Sequence, residues 1–286
     1  MNFLKQILKS FIVAFSLYSK VPMPRFVWNS GDMKYHFIFF PFVGVLIGAL
    51  EFVWKIFQLK FGFGGILYLC IAAAIPLIVT GGIHFDGFMD ITDALCSYAP
   101  KEKKLEILKD PHIGAFAVIG AAVYFLLLLG FGSEVKSFSA LICVCFSFVF
   151  SRILTALGVV FLKKAKADGM AKTEAESSAK KTVGVVLALE FVFFSVLMVF
   201  ILPRICGINP VLSLSGQVLL NSPGALLLSL LEIFSLFLAL AFSGFFCFFT
   251  AKKNFGGITG DMAGFFVSVS ELLCVVSLSI CGILKG

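Results

Sequence analysis

Long apolar stretches separated by short polar segments make up most of the chain. A membrane-spanning helix needs about 20 mostly apolar residues in a row, and seven stretches meet that requirement. They lie at about 36–57, 63–82, 113–132, 138–162, 183–202, 224–250 and 262–284. The pattern predicts an all-α, polytopic helical membrane protein with about seven transmembrane helices. An apolar segment at 1–18 that carries two lysines predicts an additional N-terminal helix, interfacial or re-entrant.

The composition excludes most soluble classes of protein. Of the 286 residues, 60% are hydrophobic and 14% are charged, whereas an ordinary soluble domain has about 45–50% apolar and about 25% charged residues. A disordered chain, a disulfide scaffold and a soluble nucleic-acid-binding protein are therefore excluded, and the lipid bilayer is the expected surrounding. No linker separates two halves, so we expect residues 1–286 to form a single integral-membrane catalytic domain. Both a monomer and an oligomer are compatible with this pattern.

The basic residues are distributed unevenly between the polar segments. If the N-terminus is cytoplasmic, 17 of the 23 lysines and arginines fall on the cytoplasmic side and four fall outside. Membrane proteins concentrate these residues in cytoplasmic loops. The distribution therefore predicts a protein of the cytoplasmic membrane, with the N-terminus and the segments 83–112 and 163–182 inside and the segment 203–223 outside.

Three aspartates occur together in a segment that directly follows an apolar stretch. Asp86, Asp90 and Asp93 are spaced i, i+4 and i+7, so on an α-helix they fall within an arc of about 60°. Like charges repel one another unless a cation lies among them, and ligands with only oxygen donors suit Mg²⁺ or Mn²⁺. A solvated acidic helix face is the alternative, but the rest of this segment is apolar. We expect a site for a divalent metal and phosphate.

A second polar cluster, at 109–114, precedes the third apolar stretch. Lys109 and His112 are candidates for contacting a phosphate or for assisting proton transfer. Pro111 is expected near the first turn of the following helix, where its missing N–H has no cost. A helix start with one lysine reaching toward water is the alternative.

A glycine-rich segment, Gly256–Gly264, precedes the last apolar stretch. A glycine-rich turn that leads into a helix offers backbone N–H groups to an anion, so Gly257, Thr259 and Gly260 are candidates for binding a phosphate. Asp261 is either the N-cap of the helix or a further oxygen ligand of a metal.

Two further features lie inside the apolar stretches. Arg152 and Glu271 are charged residues at membrane depth, where such residues usually have a partner. Arg152 either binds phosphate oxygens through its planar guanidinium or pairs with a carboxylate such as Glu271. Gly44 and Gly48 form a GxxxG pattern, which allows two helices to approach closely. Together, the carboxylates, the nearby cations and the glycine-rich helix start indicate metal-assisted attack on a phosphate at the cytoplasmic face.

The motifs resemble those of a known enzyme family. The segments 84–93, 109–114 and 256–264, together with 20–24 and 40–44, are similar to signature segments of the adenosylcobinamide-GDP ribazoletransferase (cobalamin synthase) family, in the same order from about residue 10 to 280. The segment Asp168–Ala171 also matches, although the family more often has Gly-Leu-Gly there. Ala94 stands where the family commonly has glycine.

The resemblance implies a multi-spanning, Mg²⁺-dependent membrane enzyme. Such an enzyme joins α-ribazole, or α-ribazole 5′-phosphate, to adenosylcobinamide-GDP, releases GMP and completes adenosylcobalamin or its 5′-phosphate. Its metal ligands would be Asp86, Asp90, Asp93 and Asp261. Its other catalytic groups would be the phosphate clamps Lys109 and Arg152 and a proton acceptor, either His84 or His112.

Two alternatives use similar residues. A CDP-alcohol phosphatidyltransferase also has spaced aspartates on membrane helices, but its pattern requires Ala-Arg after the first Asp-Gly, and none follows Gly87. An ion-coupled transporter should have carboxylates near the midplane and paired repeats. Here the acidic motif lies near one face and no repeat is visible.

The orientation is testable by cysteine labelling in intact cells. We expect Lys103→Cys, on a cysteine-free background, to react with a membrane-impermeant reagent only after the cells are opened, because segment 83–112 is predicted to be cytoplasmic. A cysteine placed within 203–223 is the control and should react from outside. Labelling of position 103 from outside would overturn the orientation.

Overall fold

The computed structural model describes residues 3–165, 170–208 and 223–284. This part of the chain is helical throughout, apart from loops and short turns, which confirms the predicted fold class. The helices are α1 (Phe3–Tyr18), α2 (His36–Phe61), α3 (Gly65–Thr80), α4 (Ile83–Cys96), α5 (Lys101–Ile107), α6 (Ala115–Gly132), α7 (Phe138–Phe161), α8 (Met170–Ser177), α9 (Lys180–Ile208), α10 (Pro223–Thr250) and α11 (Gly260–Ile283). The predicted outer segment 203–223 and the Asp168–Gly169 motif lie mainly outside the described residues.

The described helices include six that are long and apolar enough to cross a membrane. They are α2, α6, α7, α9, α10 and α11. The helices α3 and α4 qualify only as a pair, with a bend of 99° between them. The prediction of about seven spans is therefore confirmed if this pair is one broken span.

The packing of α4 favours a broken span over a re-entrant loop. His84, at the start of α4, lies beside Gly264, whereas Gly87 lies beside Asp261, close to the first residue of α11. Helix α4 therefore runs antiparallel to α11, from inside the bundle toward the end where α11 begins. Helix α3 approaches from the opposite end, since Leu69 lies beside Gly132 at the end of α6.

Two consecutive glycines make the bend between α3 and α4. Gly81 and Gly82 have φ angles of 64° and 78°, a left-handed conformation that other residues rarely adopt. The N-terminal part of the chain covers this bend. Lys20 donates its backbone N–H to the carbonyl of Val79 at 2.7 Å, and its side chain lies against Gly81. Part of the backbone exposed by the broken helix is thereby hydrogen-bonded inside the protein.

Helices α2 and α7 cross with their backbones in contact. A Cβ atom on Gly44 would lie 2.2 Å from the carbonyl oxygen of Phe148, and a Cβ atom on Gly48 would lie 2.5 Å from that of Cys145. The close approach predicted from the GxxxG pattern is confirmed. Beside this crossing, α1 packs on α2 through the edge-to-face rings of Phe11 and Phe39.

The α2–α7 crossing can be tested by adding one methyl group. We expect Gly44→Ala to lower the free energy of unfolding in detergent by about 1–3 kcal/mol, because the methyl group would meet backbone atoms that cannot turn aside. Gly130→Ala is the matched control, since its Cβ would have no neighbour within 4 Å. It should be neutral or stabilising by up to about 1 kcal/mol. Equal unfolding temperatures for the two variants would contradict the close crossing.

Candidate active site

The three aspartates of α4 lie along one side of the helix. Asp86 is exposed, and Asp90 and Asp93 are half-buried. The buried side of α4 comprises His84, Gly87, Phe88, Ile91 and Ala94. The predicted acidic face is therefore present, and the packed face of the same helix holds it in place.

The third aspartate lies against the start of α6. A Cβ atom on Gly114 would lie 2.0 Å from a carboxylate oxygen of Asp93. Gly114 directly precedes the first turn of α6, and no side chain among the described residues caps that turn. The positive end of the α6 dipole therefore lies next to a carboxylate. The expectation that Pro111 lies near the first turn of this helix is wrong, because α6 begins four residues later, at Ala115.

The fourth predicted ligand lies at the start of α11. A Cβ atom on Gly87 would lie 2.9 Å from the Cα atom of Asp261. Asp261 therefore contacts α4 at a residue that is within one helical turn of both Asp86 and Asp90. Asp261 is not the N-cap. Thr259 has that role, because its hydroxyl accepts the N–H of Met262 at 3.0 Å.

The four carboxylates have the donor chemistry of a Mg²⁺ site. Among the described residues, however, no three His, Cys, Asp or Glu side chains lie close enough together to hold a metal ion. The backbone placement still fits such a site, since Asp261 and Gly114 flank the same α4 face. Metal binding would require the side chains to turn toward one another. Asp86, Asp90, Asp93 and Asp261 thus remain predicted ligands.

The glycine-rich segment before α11 is held by the chain that follows α7. Gly257 donates its N–H to the carbonyl of Ala251 at 3.1 Å, and Ile258 donates to Lys163 at 2.8 Å. The expectation that Gly257 offers a free N–H to an anion is therefore wrong. A Cβ atom on Gly257 would lie 2.3 Å from the Lys163 carbonyl oxygen, so this glycine permits close packing. Gly260 is exposed and remains a predicted anion contact.

Two lysines of α5 contact the segment that leads into the glycine-rich turn. The Lys101 ammonium lies against Gly256, where a Cβ atom would be 2.1 Å from Nζ. Lys104 is buried and donates to the Asn254 amide oxygen at 2.7 Å. Sequence analysis used these lysines only for orientation, and no spacing rule could place Lys101 beside a turn 155 residues later.

An open cleft at the α3–α4 bend contains a further cation that sequence analysis did not single out. Lys20 and Asp86 both line this cleft, together with Gly82 and Met89. The only sequence signal for Lys20 was its place in the segment 20–24. Lys20 is thus available to an anionic group that approaches the first aspartate.

The segment between α5 and α6 presents its polar side chains to solvent. Lys109 and His112 are exposed. The ring Nδ1 of His112 lies 2.6 Å from a carboxylate oxygen of Asp110. The backbone N–H and the ring of His112 lower the pKa of Asp110. Gly114 contacts Asp93, and His112 and Lys109 precede this contact by two and five residues along the chain.

Arg152 and His84 lie away from the acidic face. Arg152 is 1% exposed and donates through Nη1 to Glu271 at 2.7 Å and to the carbonyl of Phe148 at 2.7 Å. The structure thus shows the pairing alternative for Arg152. His84 is on the buried side of α4 and lines the same internal cavity as Arg152. The roles predicted for these two residues at the phosphate are not supported by their placement and stay predictions.

The chain resembles known proteins over nearly its whole length. The family described as cobalamin-5-phosphate synthase matches residues 10–279, a range that contains every segment discussed above. The chain belongs to this family.

Three curated relatives carry the name adenosylcobinamide-GDP ribazoletransferase. The protein of Lachnoclostridium phytofermentans is 36% identical over 277 residues, which are 96% of this chain and 94% of the relative. The protein of Clostridium perfringens is 29% identical over 95% of this chain and 98% of the relative. The protein of Fusobacterium nucleatum is 29% identical over 94% of this chain and 96% of the relative. No solved structure matches the chain.

Membership of the cobalamin-5-phosphate synthase family decides between the classes of function left open by the sequence. The chain is a transferase of cobalamin biosynthesis that acts in the assembly of the nucleotide loop. The two alternatives, a phospholipid-forming transferase and an ion-coupled transporter, are therefore set aside.

The buried Arg152–Glu271 pair provides a stability test. We expect Glu271→Gln to lower the free energy of unfolding by about 3–5 kcal/mol, because it leaves the Arg152 charge buried without its partner. The double variant Arg152→Met, Glu271→Leu removes both charges and should recover most of this loss. Thermal unfolding in detergent measures both variants. A double variant less stable than Glu271→Gln would show that the two residues do not act as a pair.

Proposed function

We propose that this enzyme is a Mg²⁺-dependent transferase that joins α-ribazole, or α-ribazole 5′-phosphate, to adenosylcobinamide-GDP and releases GMP. The product is adenosylcobalamin or its 5′-phosphate. The relatives' name and the family support the two substrates. The observation that carries the proposal is the convergence of the starts of α6 and α11 on the acidic face of α4.

The electrostatics of this convergence suit a metal-bound pyrophosphate. The first turns of α6 and α11 flank the aspartates, and helix N-termini favour anions. The aspartates alone would repel a pyrophosphate, so a divalent cation is needed between the two sets of negative charge. Mg²⁺ prefers carboxylate and phosphate oxygens together. Asp86, Asp90, Asp93 and Asp261 would hold it.

The reaction breaks a phosphoanhydride bond and forms a phosphodiester. A ribose hydroxyl of the acceptor attacks the phosphorus nearest the corrinoid, the bond from that phosphorus to the GMP oxygen breaks, and the hydroxyl proton is lost. Mg²⁺ held by Asp86, Asp90, Asp93 and Asp261 would neutralise charge on the nucleophile and on the leaving phosphate. Lys20, Lys101 and Lys109 would neutralise the remaining phosphate oxygens.

His112 is the better placed of the two candidate proton acceptors. It is exposed beside the start of α6, and Asp110 holds its ring at 2.6 Å, as a carboxylate orients a catalytic histidine in other enzymes. His84 faces the opposite side of α4. We therefore assign the proton transfer to His112.

The proposed site opens toward the cytoplasm. The helices α6 and α11 both begin there if the N-terminus is inside, as the lysine distribution indicates. The enzyme would thus reside in the cytoplasmic membrane, with its acidic face accessible to water-soluble substrates from the cell interior.

The central test is the metal dependence of GMP release. We expect Asp90→Asn to fold as well as wild type, because one like-charge repulsion is removed. It should lose about two orders of magnitude or more in turnover, since a metal contributes several kcal/mol to such transition states. Higher Mg²⁺ or Mn²⁺ concentrations should restore part of the rate.

Glu134→Gln is the matched control, because Glu134 is a carboxylate in the α6–α7 loop, paired with Lys136 and far along the chain from the aspartates. It should keep normal turnover. Mn²⁺ binding followed by electron paramagnetic resonance gives a second readout and should weaken only in Asp90→Asn. Full turnover after thorough chelation, or normal rates for Asp90→Asn at low Mg²⁺, would show that the aspartates do not form a metal site.

A further inference from the structure

An internal cavity lies within the membrane-spanning bundle, on the other side of α4 from the aspartates. Its volume is about 120 Å³, and its walls come from α2, α3, α4, α6, α7 and α11. One water molecule needs about 10–15 Å³, and an engineered apolar cavity of about 150 Å³ holds a benzene molecule. The cavity is thus several times larger than one water molecule needs and is close in size to a cavity that holds one benzene ring.

Two buried polar atoms in the cavity wall have no hydrogen-bond partner among the described residues. They are Nε2 of His84 and Nε of Arg152, on side chains whose residues are 9% and 1% exposed. The Arg152 Nη1 atom is already bound to Glu271, so its Nε–H is a separate donor. An unpaired buried donor costs about 1–3 kcal/mol. The cavity thus offers hydrogen bonds to a ligand that can accept them.

The rest of the wall includes the charged residues Glu51, Lys55 and Glu271, but apolar and aromatic side chains make up most of it. Phe85, Tyr124 and Phe125 pack edge to face or tilted, with centroids 5.0–5.4 Å apart, and all three line the cavity. Such walls suit a flat ring, which can stack on them or meet them edge to face. A cavity with aromatic walls and a few aligned donors is the usual form of a site for a small heterocycle.

The cavity and the cleft that contains Asp86 share part of their walls. Leu77, Thr80 and Phe85 line both. These three side chains therefore lie between the two spaces, and a ring from a molecule in the cleft would enter the cavity when they turn aside, with its other end near the first aspartate.

We propose that this cavity binds the heterocyclic base of the acceptor substrate. This inference rests on the proposed function, in which the acceptor is a ribazole whose base is dimethylbenzimidazole. The benzo part would pack among the aromatic rings, and the free ring nitrogen would accept an N–H from Arg152 or His84. The ribose would remain in the cleft, with its hydroxyl toward the acidic face.

The charged lining argues against a lipid chain as the occupant. An acyl chain has no acceptor for the two unpaired polar atoms and would leave Arg152 unsatisfied. Water alone would satisfy these atoms but would be poorly held along the aromatic walls. A lipid chain and water alone are both outcomes that the experiment below distinguishes.

Binding of free dimethylbenzimidazole to the full-length protein in detergent tests the inference directly. Calorimetric titration of wild type should show binding at one site. Ala73→Phe, which fills the cavity from α3, should weaken this binding by about tenfold or more, equivalent to about 1.4 kcal/mol. Ala74→Phe is the matched control, since Ala73 lines the cavity and Ala74 does not, and it should bind as wild type does.

Steady-state kinetics separate this inference from the proposed function. Ala73→Phe should raise KM for α-ribazole by about tenfold and leave KM for adenosylcobinamide-GDP unchanged.

If GMP is released normally but the base does not bind, or a co-purified lipid or water alone occupies the cavity, the inference is wrong and the proposed function stands. If the base binds and Ala73→Phe abolishes binding while no GMP is released, the cavity assignment stands and the proposed function fails. Should Ala73→Phe not fold, competition of α-ribazole turnover by free dimethylbenzimidazole in wild type decides, and its absence would overturn the inference.

Discussion

Helices α4 and α11 pack with their backbones in direct contact, and this close approach sets the position of every predicted metal ligand. Gly87 admits the backbone of Asp261, and Gly264 admits that of His84. A larger side chain at either glycine would separate the helices, and the carboxylate at the start of α11 would move away from those on α4. The contact is antiparallel, so the acidic end of α4 and the beginning of α11 lie at the same level of the bundle.

Helix α4 divides the protein into two chemically distinct compartments. Its aspartates lie along a side of the helix that the starts of α6 and α11 flank, where positive dipole ends favour anions. Its opposite side faces the internal cavity with the Arg152–Glu271 pair. One helix of 14 residues thus separates a polar, accessible compartment from a largely apolar one, and the proposed acceptor, which has both a charged and an aromatic part, would use the two together.

The sequence predicted those features that depend on local periodicity. The length of the apolar stretches predicted the membrane spans, and the i, i+4 and i+7 spacing predicted the acidic face of α4. The GxxxG pattern predicted the close contact between α2 and α7. Features that depend on tertiary packing were missed or misjudged. The direction of His84 follows from how α4 is rotated against α11, the contact of Lys101 with Gly256 joins distant segments, and the N–H of Gly257 is taken by a carbonyl that only the folded turn brings near.

The antiparallel contact of α4 with the last helix has a consequence for how the protein is made. Three aspartates oppose insertion of α4 into lipid, since an aspartate costs up to about 2.5–3.5 kcal/mol when it lies at the centre of a membrane helix. The helices that shelter α4, first α6 and then α11, leave the ribosome later than α4 does. We therefore expect α4 to remain at the membrane surface during synthesis and to pack into the bundle only after the C-terminal helix has entered the bilayer. A chain that stops before α11 would contain every aspartate of α4 and still lack the partner that positions them.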